Sequence, residues 1–168
     1  MSKRATEFSK DLKRALEKHM SFMRRSGIVE WKKEWKPEGV RHGGVDLAGL
    51  NRKEQAVILI EAELRRDDPA GNILKVWMWA RKRSRNLSRR FVFLQAFARA
   101  YYKTKAEQRR RSLFLADRLC RDIKPARYRP IRLHYNPRAG GKRGAGARTH
   151  HATNLALSVV RHGRALLG

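Results

Sequence analysis

Ala56-Val57-Ile58-Leu59-Ile60-Glu61-Ala62-Glu63-Leu64 is a run of five aliphatic residues that ends in two acids one residue apart. With the polar turn Asn51-Arg52-Lys53-Glu54 before it, it reads as a strand over residues 55–64. Alternation predicts Val57, Leu59, Glu61 and Glu63 on one face and Ile58, Ile60, Ala62 and Leu64 on the other. The two carboxylates then leave the same face, roughly 6.6 Å apart along the strand. Ionised carboxylates at the rim of a buried strand cost several kcal/mol each if unpaired, and each raises the pKa of the other. A compensating positive charge is required.

Upstream, Gly43-Gly44 opens a short strand through Val45, Asp46 and Leu47 towards Leu50. Ile28 to Lys36 alternates as an earlier strand, with Trp31 and Trp35 expected on one aromatic face and Pro37-Glu38-Gly39 ending it. Three strands with short turns form an antiparallel meander. Residues 5–24 carry Phe8, Leu12, Ala15, Leu16, His19 and Met23 on one helical stripe. Downstream, Asp67-Asp68-Pro69 starts a helix over 70–83. The run Phe91–Phe97, apolar on both sides, predicts a buried central strand parallel to the third. A helix over 105–122, a strand over 127–135 and a helix over 152–166 complete the order αβββαβαβα. Pro137 to Arg148 reads as a basic, glycine-rich loop. Gly141-Lys142 within it lacks the Ser or Thr of a phosphate-binding P-loop.

The 168 residues fit one domain spanning 1–168, with a core over about 5–135. The formal net charge is +26, unevenly spread: residues 1–68 hold 16 Lys+Arg and 12 Asp+Glu (+4), and residues 69–168 hold 25 and 3 (+22). Such a chain draws in polyanions, and an excess of Arg suits phosphate. Nucleic acid is the expected partner, ahead of a ribosomal or membrane surface. Cys120 is the single cysteine, so no disulfide forms within the chain. No apolar segment follows the N-terminus and no run is long enough to span a bilayer, so the expectation is a cytoplasmic protein without membrane contact.

Acids clustered within so basic a chain imply a cation between them. A Mg²⁺ or Mn²⁺ ion would fit, since hard divalent cations take carboxylate oxygens, with Asp46 as the third carboxylate and the Ala62 carbonyl as a further oxygen. Asp46, Glu61 and Glu63, set within helix–meander–helix–strand, resemble the PD-(D/E)XK superfamily of restriction-endonuclease-like nucleases over roughly residues 5–98. The resemblance implies an α/β fold with an αβββαβ core and mixed central sheet. It also implies Mg²⁺-dependent endonuclease activity on phosphodiester bonds, with DNA favoured over RNA. Asp46 and Glu61 match the acids of the family's second and third strands, both metal ligands. Glu63 stands where the family usually has Lys. Some members carry the lysine on the next helix, where Lys75 stands, with Asn72 one turn earlier on the same face.

Glu30 on the first strand is a further candidate ligand, and Glu17 matches the helix-one acid of some members. Arg41, Arg81, Lys82, Arg83, Arg85, Lys142 and Arg143 are candidate contacts to the nucleic-acid backbone. His42 lies beside Gly43-Gly44, and His150-His151 lacks a third ligand at zinc spacing. Trp35 is the candidate for base stacking, and Trp77 belongs to the core. The competing reading is a non-catalytic nucleic-acid-binding protein, either a degenerate nuclease fold or an RNA-associated one. A homodimer or larger assembly is compatible with both.

Overall fold

A computed structural model of the chain describes residues 3–41, 43–64, 68–134 and 143–167. Its elements are α1 (Lys3–Glu17), α2 (Met20–Arg25), β1 (Ile28–Trp35), β2 (Val45–Asn51), β3 (Ala56–Glu63), α3 (Ala70–Arg81), β4 (Leu87–Phe97), a 3-10 turn (Arg99–Tyr102), α4 (Ala106–Asp122), β5 (Arg127–Arg132) and α5 (Arg143–Leu167). The strands form one open mixed sheet in the order β1-β2-β3-β4-β5. The first three pair antiparallel, whereas β3–β4 and β4–β5 are parallel. The expected meander and the parallel β3–β4 pair are therefore present, in an α/β architecture.

Helices cover both faces of the sheet. Phe8, Leu12 and Leu16 of α1, Phe22 of α2, and Leu155 and Val159 of α5 pack on one face with Ile58, Ile60 and Leu94. Ile73, Val76 and Trp79 of α3 and Ala116 and Leu119 of α4 pack on the other with Leu59 and Phe93. Burial on both sides explains why β4 is apolar from Phe91 to Phe97 except at Gln95.

Four boundaries differ from the pattern in the sequence. The first helix is two, broken at His19 (φ −95°, ψ 58°), which lets both Phe22 and Met23 enter the core. Trp31 and Trp35 lie in opposite cores, because Glu34 between them adopts a positive φ of 49° and breaks the alternation. A register shift between Ala56 and Ile58 likewise sends Val57 to the α1/α5 face and puts Ala56 beside Leu59. The C-terminal helix begins at Arg143, not at 152. Arg148 Nε donates to Asp11 Oδ2 at 2.7 Å and Thr149 Oγ1 to the same oxygen at 3.2 Å, so a contact with α1 overrides the weak helix propensity of this glycine-rich stretch. The rest of the expected loop, up to Lys142, lies outside the described residues.

Candidate active site

Because β3 enters the sheet as buried aliphatic sequence and turns into α3 without a long connection, the first two turns of α3 lie over its C-terminal end. Glu61 and Glu63 emerge there towards the α3 side, 3% and 1% exposed. Lys75 reaches in from α3. Its Nζ donates to Glu61 Oε1 at 2.6 Å, to the Gly44 carbonyl at 2.7 Å and to Asn72 Oδ1 at 2.9 Å, using all three ammonium hydrogens. The same Nζ stands 5.6 Å from the centre of the Trp79 ring. Gly44 is required at its position, since a Cβ would lie 2.7 Å from the Glu34 carbonyl oxygen.

Glu63 belongs to a second, deeper set of bonds. Its Oε1 accepts from Asn72 Nδ2 at 2.6 Å and from Gln95 Nε2 at 2.7 Å. Gln95 also donates to the Pro69 carbonyl, and its Oε1 accepts the Tyr128 hydroxyl at 2.9 Å. One polar chain thus runs from Tyr128 on β5 through Gln95, Glu63 and Asn72 to Lys75 and Glu61. Asp46, half-buried on β2, accepts the Ala62 N–H on Oδ2 at 2.8 Å.

Burial pushes the Glu61 carboxyl well above its ordinary range, the Asp46 and Glu63 charges push it further, and Lys75 opposes them. Burial also raises the Tyr128 hydroxyl, with the Glu63 charge second. Among the described residues, the Asp46, Glu61 and Glu63 carboxylates, if ionised, against the Lys75 ammonium sum to −2 (three negative charges, one positive), in a chain of net +26. Among the described residues no group of three or more His, Cys, Asp or Glu is arranged to hold a metal ion. A cation here would be held by Asp46 and Glu61 with water and substrate oxygens completing its shell, a donor set that suits Mg²⁺. The charge deficit and the acid-only oxygen donors fit such an ion.

The structure brings together Asp46, Glu61, Glu63, Asn72 and Lys75. It does not bring Glu30, which is exposed and pairs with Leu50, whereas Asp46 lies beside the other end of β1, roughly 13 Å along the strand. Glu17 is at the solvent-facing end of α1, 3.6 Å from Lys13. Arg81, Lys82, Arg83 and Arg85 are exposed at the far end of α3, beside the start of β3, so they cannot grip a phosphate held at Glu61. Arg41 is exposed in the loop before Gly43. His42 and Lys142 lie outside the described residues, as does the Arg143 side chain.

Trp35 is not available for stacking: it is 4% exposed and packs edge-on against Trp79 at 6.0 Å. Trp77 is half-buried, its Nε1 donating to Asp122 at 2.6 Å. Two features escaped sequence reading. Gln95 carried a signal, a lone polar residue within an apolar strand. The other is a cationic cluster at the C-terminal ends of β4 and β5, where the Arg109 and Arg132 guanidiniums stand 4.5 and 4.6 Å from the centre of the Tyr102 ring. Neither arginine has an acidic partner among the described residues, and Arg109 Nε is buried without a hydrogen bond. No signal in the sequence joined these distant positions.

No protein-family model, no curated protein and no solved structure matches the chain. Among the described residues no helix is long and apolar enough to cross a membrane.

Proposed function

We propose that this chain is a metal-dependent nuclease of the restriction-endonuclease-like type, hydrolysing phosphodiester bonds in nucleic acid, with DNA favoured. The observation that carries the reading is the Lys75–Glu61 contact beside Asp46: a lysine from the helix after β3 meets the acid of β3 where the motif lysine is replaced by Glu63. Asp46 and Glu61 would hold Mg²⁺, which when bound supplies an acidified water and neutralises charge on the phosphate.

The chain's own residues do the remainder. Lys75 carries a positive charge and transferable protons at Nζ, next to the place where phosphate charge would develop. Asn72 and the Gly44 carbonyl fix the direction of that ammonium. Glu63 is reassigned from metal ligand to anchor, since its Oε1 is committed to the Asn72 and Gln95 amides. Arg109 and Arg132, at the C-terminal ends of β4 and β5, bear the phosphate-positioning role expected of the 81–85 cluster.

A second reading, a non-catalytic nucleic-acid binder, is favoured by one observation: among the described residues no three acids are arranged to hold a metal ion. A plasmid-nicking and RNA-cleavage assay with Mg²⁺, Mn²⁺ or EDTA, comparing the wild type with Glu61→Ala, decides between them. Metal-dependent cutting lost in the variant supports the nuclease. A wild type that cuts no DNA or RNA, and a variant that binds as well or better, supports the binder.

A further inference from the structure

At the C-terminal end of α3, the structure has an open cavity of about 620 Å³ that the proposed chemistry does not use. Its floor is apolar, with Trp79 and Phe91 among its walls, and its rim carries Arg83, Arg85, Arg89 and Lys124. None of these four side chains makes an ion pair among the described residues. The one acid at the rim, Asp122, is already engaged by Trp77 Nε1 at 2.6 Å and Arg81 Nε at 3.4 Å, so it does not neutralise them. The volume is that of a small-molecule site.

Four uncompensated cations around one concavity repel each other, and an anion relieves that repulsion. Three of the four are arginines, whose planar forks match phosphate oxygens. The apolar floor asks for a ligand with an apolar body as well as the anion. We propose that this cavity binds a nucleoside phosphate, the phosphate at the arginine rim and the base over the Trp79–Phe91 floor. The ligand is either a free nucleotide or a terminal nucleotide of a strand. The site is separate from the carboxylates: Gln55, at its edge, lies six residues before Glu61, roughly 20 Å along the strand. Trp79 is shared, forming a wall of the cavity while its ring lies under the Lys75 ammonium.

The test follows tryptophan fluorescence of the full chain in EDTA, titrated with adenosine 5′-monophosphate, adenosine, inorganic phosphate and a short 5′-phosphorylated oligonucleotide. Calorimetry checks each titration. Saturable binding of the monophosphate is expected, with adenosine and phosphate each at least about tenfold weaker, and a Kd raised at least about tenfold in Arg83→Glu/Arg89→Glu. Both positions are exposed, so unchanged circular dichroism shows that this variant folds. A tighter oligonucleotide identifies a strand end as the ligand, and equal affinity identifies the free nucleotide. Absence of binding by both nucleotide probes, equal binding of phosphate and monophosphate, or an unaffected double variant overturns the proposal. Because EDTA is present throughout, loss of the nuclease reading leaves this result intact.

Discussion

Asp46 Oδ2 accepts the main-chain N–H of Ala62 at 2.8 Å, between the two acids of β3. The β2–β3 ladder runs to Leu47↔Ile60, and beyond it a side chain takes over the acceptor role of a main-chain carbonyl. This bond separates structure from charge. In Asp46→Asn the amide oxygen still accepts from Ala62, so the melting temperature stays near that of the wild type while nicking falls at least about 100-fold, the scale on which a catalytic electrostatic group acts. Asp46→Ala loses both and is destabilised by about 1–3 kcal/mol. Thermal melts beside nicking rates check the contrast, and an active Asp46→Asn removes Asp46 from the metal site.

Lys75→Met takes the ammonium that bonds Glu61 from a pocket of three acids. Single-turnover cleavage is expected to fall at least about 100-fold. DNA affinity, measured in EDTA, changes little, because one ammonium is a small part of the basic surface. Lys75→Arg does not restore cutting, since a planar fork cannot reproduce three divergent bonds from one nitrogen. Full activity in either variant refutes a catalytic role for the Lys75 ammonium.

The raised Glu61 carboxyl makes metal-free stability depend on pH in an unusual direction for an acid. The folded chain binds this proton more tightly than the unfolded chain does. The group's contribution is complete below the ordinary glutamate value of 4.5 that it has in the unfolded chain, and is lost as pH rises through the higher folded value. Urea midpoints in EDTA should therefore decline with rising pH above about 4.5 more steeply in the wild type than in Glu61→Gln. Parallel curves contradict the assigned shift.

Tyr128→Phe removes one neutral donor to Gln95 and costs about 1 kcal/mol. Gln95→Leu costs more, about 2–3 kcal/mol, because it strips a donor from the buried Glu63 carboxylate. If the polar chain positions Lys75, Gln95→Leu also slows cleavage. Denaturation midpoints and cleavage rates on both variants test the order.

Arg109→Ala with Arg132→Ala is expected to lower DNA affinity and to flatten the dependence of log K on log salt by about 2, one unit per lost phosphate contact. Arg81→Ala should leave the slope unchanged, since that side chain faces Asp122 at the other end of α3. Equal effects from both changes exclude a dedicated phosphate contact at Tyr102.

Much of this architecture was legible because it rests on local pattern. The meander, the β3–β4 crossover and α3 follow from alternation, turns and helical spacing, and the meeting of Asp46, Glu61 and Lys75 follows from them. What escaped depends on irregularity or distance. Trp31 and Trp35 share a face only in a regular strand, and Glu34 breaks that regularity. Arg143 to Gly146 looks unstructured alone and becomes helical in a helix tied to Asp11, 137 positions before Arg148. Tyr102, Arg109 and Arg132 come from three separate elements whose proximity follows from the parallel β4–β5 pair.

The Asp11–Arg148 contact bears on the order in which the molecule can be built during synthesis. Every side chain from Asp46 to Gln95 in the carboxylate cluster has emerged before α4 is made, and Tyr128 alone arrives later. On the α1 face of the sheet, the part that Ala152, Leu155 and Val159 cover must wait for α5. Until α5 is made, a ribosome-bound chain therefore presents a nearly complete acidic pocket on one side and a half-covered apolar surface on the other.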